Sequence, residues 1–118
     1  MGLRKYSLAS IGPLRQGEVV RAGQRKRIFY LKIPTEFIAF INYMSNTWYP
    51  DVVLELYIDG SFEERIERKY ESRTIDPPIV VKNKIEVWAI NNSNNDYLIE
   101  FEVDGVAVLV RELGLEEL

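Results

Sequence analysis

Ile85 to Val110 reads IEVWAINNSNNDYLIEFEVDGVAVLV, three apolar-rich runs separated by two polar stretches, Asn91 to Asp96 and Asp104–Gly105. Between Tyr97 and Val103 the alternation is clean. Tyr97, Ile99, Phe101 and Val103 fall on one side; Leu98, Glu100 and Glu102 fall on the other. A period of two with one polar-leaning side marks a strand with one face buried and the other in water. Asp104–Gly105 has the chemistry of a tight hairpin turn, so Val106 to Val110 is expected to return antiparallel. The stretch decides for an all-β fold.

The rest of the chain agrees. Glu18 to Arg21 is a short strand ending in a turn at Ala22-Gly23-Gln24, and Arg27 to Ile33 is a strand that Pro34 stops. Phe37 to Met44, FIAFINYM, is apolar on both faces except for Asn42. A helix competes there, but the run is short and its Ile, Phe and Tyr content favours a strand. A strand without a polar face is unusual in an antiparallel sandwich, so part of it is expected to meet a partner chain. Ser45 to Asp51 is a loop carrying Trp48 and Tyr49. Val52 to Ile58 alternates and turns at Asp59–Gly60. Phe62 to Glu67 returns as a charged edge strand, the charge guarding against strand addition. Arg68 to Arg73 reads as a polar loop, Asp76-Pro77-Pro78 as an extended approach, and Ile79 to Val81 leads through Lys82-Asn83-Lys84 into the opening stretch.

VLELYIDG, residues 53–60, echoes LIEFEVDG, residues 98–105. Two related hairpins stacked across a sandwich would produce that likeness, and so would the general resemblance of one hairpin to another. Eight or nine short strands, turn signals every ten or so residues and no clear helix specify an antiparallel β-sandwich, with a jelly roll as one form of it. Residues 1–16, broken by Gly12-Pro13, read as an extended basic arm or short edge strand. Residues 17–113 form one domain, and 114–118 a short frayed tail.

At 118 residues, 47% apolar and 28% charged, the chain suits one soluble domain with a core of its own. No apolar run approaches the ~18 residues of a membrane span. The N-terminus lacks the hydrophobic core of a signal peptide, and Tyr6 stands where a myristoylation motif wants Ser or Thr. Cysteine and histidine are both absent. Disulfides, thiolate chemistry, Ser-His-Asp catalysis and zinc hydrolysis are therefore excluded. An enzyme would have to run on carboxylates, Lys, Tyr or a cofactor, and no cofactor is assigned.

The net charge of −3 hides an asymmetry. Residues 1–33 hold eight basic groups against Glu18 alone; residues 34–118 hold seven basic and seventeen acidic groups. Basic N-terminal strands lying beside acidic ones would neutralise this within the monomer. Complementary patches between subunits, or an arm reaching an acidic partner, are the alternatives.

Several residue groups offer chemistry. Glu55, Glu100 and Glu102 on polar strand faces could serve glycoside hydrolysis, though exposed strand carboxylates are normally just solvated. Asp59 and Asp104 fall where a turn wants Asp. Asn91 to Asp96 offers oxygen ligands for calcium but only one carboxylate and no EF-hand spacing, so a connecting loop accounts for it better. Arg25-Lys26-Arg27 beside Phe29 and Tyr30 suits single-stranded nucleic acid, against which the acidic chain as a whole weighs. Trp48 and Tyr49, with Tyr43 and Tyr57, form the best binding feature, because a loop Trp either anchors a contact or folds back to plug the sandwich. Trp88, mid-strand between Glu86 and Ile90, is assigned to the core.

The layout ELYIDG followed by DPPIVVKNKIEVWAINNSNNDYLIEFEVDG, within Pro50 to Val108, resembles small β-sandwich accessory proteins of tailed bacteriophage and archaeal virus particles. The resemblance implies a non-enzymatic cement, decoration or minor structural protein, homo-oligomeric and often trimeric. Such a protein is expected in the virion and otherwise in the cytoplasm. Its contacts to other protein subunits would run through Arg4 and Lys5 of the arm, Arg25, Lys26 and Arg27, Phe40 and Tyr43, and the loop residues Trp48 and Tyr49. The alternative is a carbohydrate- or ligand-binding module using Trp48 and Tyr49. A small protein inhibitor of another enzyme is a third class, with no residue to support it.

Overall fold

The computed structural model describes residues 4–112. Nine strands run in chain order: β1 Tyr6–Ser7, β2 Arg15–Val20, β3 Arg25–Lys32, β4 Phe37–Asn46, β5 Val52–Ile58, β6 Ser61–Ile66, β7 Arg73–Val81, β8 Lys84–Asn91 and β9 Tyr97–Leu109. A 3-10 turn, Leu8–Ser10, follows β1. One sheet has the order β2-β9-β4-β7, with β1 continuing β2 along the same side of β9. The other has the order β3-β8-β5-β6. All pairings are antiparallel. This order, with the chain passing repeatedly from one sheet to the other, is that of a jelly roll. The described residues form an elongated body of 54 × 23 × 22 Å.

The core lies between the sheets and follows from the period of two. Ile85, Val87 and Ala89 of β8 point inward against Ile99, Phe101 and Val103 of β9, and all six are fully buried. Phe29 and Phe101 meet edge-to-face at 5.5 Å. Each large apolar side chain removed from water in this way contributes roughly 1.5–3 kcal/mol before chain entropy is set against it. The one fully buried polar side chain among the described residues, Asn91, is fully bonded. Its Nδ2 donates to the carbonyls of Val20 (2.9 Å) and Asn95 (2.7 Å), and its Oδ1 accepts from the Ser93 N–H and hydroxyl. The Asn-rich loop is thus tied to the end of β2.

Four expectations from the sequence need correction. The first is the turn at Asp104–Gly105. Neither residue has a positive φ, and β9 runs through them without reversing, so Val106 to Val110 does not return. Gly105 serves a close approach instead, since a Cβ there would run into the Phe40 carbonyl of β4. β4 carries a bulge at Asn42, its pairing to β9 stepping from Ile41–Gly105 to Tyr43–Asp104. On the other side of β9 the edge breaks between β1 and β2, where the 3-10 turn inserts. Glycine inside a strand commonly marks such an irregularity. The echo therefore joins unlike elements. Asp59 (φ 54°) and Gly60 (φ 86°) do turn β5 into β6, while 98–105 passes straight on.

The second is the arm, of whose two readings the short edge strand holds: within the described residues Tyr6 lies opposite Ala107, Ser7 lies opposite Val106 and Leu8 is buried. Its Gly12-Pro13 breaks the edge strand rather than freeing it. The third is the reach of β7, which begins at Arg73 and includes Pro77 and Pro78. It is the outermost strand of its sheet, where a missing N–H costs no ladder bond. The fourth is Trp88, which alternates with buried Val87 and Ala89 and lies on the outer face of the second sheet, outside the core. The expected tail, 114–118, lies outside the described residues.

Candidate interaction surfaces

In β4, Ala39, Ile41 and Met44 are buried, which turns Ile38 and Phe40 to the outside. The register sets Ile38 beside Val108 and places Phe40 between Val106 of β9 and Val80 of β7. Outward apolar side chains on three adjacent strands make one patch. Val80 is 45% exposed, and Ile38, Phe40 and Val106 are half-buried. A shallow groove of about 380 Å³ opens on it, lined by Lys5, Phe40, Asn42, Pro78, Val106 and Val108. The same stretch of sheet is apolar on its inner face too, through Ala39, Ile41 and Ala107. Further along the outer face the character changes to charge, with Asp104, then Glu102 and Glu100, which Arg15 bridges at 3.4 and 3.2 Å. Ser45 donates to Glu102 (3.0 Å). Tyr43, beside the bulge, reaches the Glu71 carbonyl at 3.5 Å and stands apart from the groove lining.

The second sheet carries a different outer face. Arg25 donates to Glu55 at 2.9 Å and lies 4.4 Å over the Trp88 ring. Arg27 donates to Glu86 at 3.3 Å and lies over Tyr30. Tyr57 meets Phe62 edge-to-face. Off that face, at the edge where the two sheets meet, Lys26 of β3 pairs with Glu18 of β2 at 3.1 Å. The hydrogen bond to Glu55 holds the Arg25 guanidinium above its ordinary pKa, desolvation opposing it, and Glu100 does the same for Arg15. Much of the basic surplus of the first third is thus met by acidic strands of the same molecule. Arg4 is exposed and bonds to the Tyr6 hydroxyl at 3.3 Å, while Lys5 reaches the apolar groove.

The loop aromatics fold back. The Trp48 indole N–H donates to the Val52 carbonyl at 2.7 Å, and its ring packs against the core. Tyr49 stacks on Tyr97 at 4.0 Å, nearly parallel. An open depression of about 440 Å³ beside them is bordered by Asp51, Arg65, Glu67 and Asn92.

Carboxylates that sequence reading offered for catalysis or metal are engaged otherwise. Glu55 holds Arg25, and Asp96 accepts from the Ala22 N–H at 2.9 Å. Asp59 accepts from the N–H groups of Lys82 (3.1 Å), Asn83 (2.7 Å) and Lys84 (3.0 Å). Among the described residues no group of three or more His, Cys, Asp or Glu is placed to hold a metal ion, and no helix is long and apolar enough to cross a membrane.

Of the nine residues singled out for contacts, Lys5 and Phe40 meet at one groove; the others lie apart from it. Val80, Val106, Val108 and Trp88 were not singled out. The signal for Trp88 was its place in the Glu86–Ile90 alternation. Val106 and Val108 were hidden by the misread turn. Comparison with family models, with curated proteins and with solved structures finds no match.

Proposed function

We propose that the chain is a non-enzymatic structural subunit that works by binding neighbouring protein subunits, as a cement, decoration or minor structural component of a virus particle. The observation that carries the reading is the apolar outer patch of Ile38, Phe40, Val80 and Val106. An antiparallel sheet whose outer face meets only water keeps that face polar. Apolar side chains clustered there are the mark of a protein contact. The jelly roll itself hosts many activities and decides nothing. The loop aromatics lend a ligand-binding module less support, because the Trp48 indole N–H is already committed within the chain.

Antiserum against the chain, used on density-gradient fractions of particles from the source, tests the reading. Co-sedimentation with particles that survives washing is the expected result, and Phe40→Asp is expected to abolish it. A protein recovered wholly in the particle-free fractions overturns it.

A further inference from the structure

We infer that the partner seated on this patch is a second copy of the chain, packed face to face about a two-fold axis that lies in the contact plane and runs across the strands through Phe40 and Val106. The inference rests on the contact reading above and adds the identity and symmetry of the partner. Its basis is the order of side chains along the outer face. Continuing the β1 register, in which Tyr6 faces Ala107, sets Lys5 beside Val108. The next outward row is Val106, Phe40 and Val80. Beyond it come Asp104 on β9 and, on β4, Tyr43 opposite it with the bulged Asn42 alongside. A cation therefore lies at one end, an anion at the other, and an apolar row between them.

Lys5 and Asp104 are four residues apart in β9 register, about 13 Å along the strands. They stand on opposite sides of the central row at similar distances. Rotation by 180° about an axis along that row lays Phe40 and Val106 on their own copies. It also brings each Lys5 toward the Asp104 of the other subunit. Both residues are exposed, and neither has an ion-pair partner among the described residues. Lys5 lines the groove, so its aliphatic stem covers apolar surface while its ammonium reaches the facing subunit. The remaining offset is one strand spacing, about 5 Å, within reach of a lysine side chain. An isologous contact requires such self-complementarity, and a three-fold contact does not. The occupant is therefore a two-fold mate rather than the trimer neighbour that the virion resemblance implies.

Sedimentation velocity on the full chain across a concentration series tests this, with circular dichroism of each variant as the folding control. The wild type is expected to reach twice the chain mass. Phe40→Asp is expected to weaken dimerisation roughly 30-fold or more. Lys5→Glu sets Glu against Asp104, and Asp104→Lys sets lysine against Lys5. Each alone is expected to weaken the dimer on the order of 10- to 100-fold. Mixing the two variants restores both ion pairs, so a heterodimer of near wild-type affinity is expected. A wild type that stays monomeric, a stable trimer, or a mixture that fails to restore affinity overturns the two-fold contact. Gradient co-sedimentation is scored separately. A monomer that still travels with particles loses the two-fold contact and keeps the proposed function; a dimer that stays off particles does the reverse.

Discussion

Gly105 of β9 lies so close to the carbonyl of Phe40 in β4 that a Cβ on Gly105 would overlap it. The two strands meet there through backbone alone, at the point where the β4 bulge shifts the register. Gly105→Ala must push the strands apart or distort the bulge. The expected loss is about 1–3 kcal/mol, the usual range for overpacking a tight site. Urea unfolding of the variant, with an unchanged m-value, checks it.

Asp59 joins two turns. It sits in the β5–β6 hairpin while its carboxylate accepts three backbone N–H groups of the β7–β8 connection. Asp59→Ala leaves those donors to water and to an already strained turn, since alanine resists the positive φ of this position. A loss of about 1–3 kcal/mol is expected. Asp59→Asn, which tolerates the backbone and keeps one acceptor oxygen, should recover part of it. The two melting temperatures decide between them.

Asn91 is buried with both ends of its amide bonded. Asn91→Leu is expected to cost more than 2 kcal/mol, because it removes those bonds and leaves buried partners unsatisfied. Hydrogen exchange should show the damage concentrated at the ends of β2 and β8 and in residues 92–96.

Trp48 and Trp88 stand in different surroundings, and emission spectra can separate them. In Trp88→Phe the remaining indole, Trp48, is packed on the core and bonded to Val52, so emission should lie to the blue. In Trp48→Phe the remaining indole is Trp88 on the outer face, and emission should lie to the red. Coincident spectra would contradict the placement of the two rings. The Trp48→Phe variant is also expected to lose about 0.5–1.5 kcal/mol with the hydrogen bond.

Most of the fold was legible because alternation writes burial directly into a strand. Tyr97 to Val103 and Val52 to Ile58 each declared their inner faces residue by residue. The misreadings came where one local signal serves two geometries. Asp-Gly fits both a hairpin turn and a tight crossing, and only the Phe40 carbonyl, sixty-odd positions away in sequence, distinguishes them. Trp88 was judged by its size rather than by its place in the alternation. The doubly apolar character of Phe37 to Met44 was visible as a pattern, but not which half of it lies uncovered. That depends on Val80 and Val106 arriving beside Phe40, a fact of sheet order rather than of local sequence.

The outer strand β7 carries Pro77 and Pro78 where another chain would have to dock to lengthen the sheet. Without their N–H groups, and with the backbone out of regular register there, that edge cannot template a continuous ribbon. At the β6 edge the charged residues Glu63, Glu64, Arg65 and Glu67 and a register irregularity act to the same effect. Crowding many copies onto a surface therefore carries little risk of fibre growth from these two borders. Copies brought close together would meet in discrete contacts of finite size rather than along a lengthening sheet.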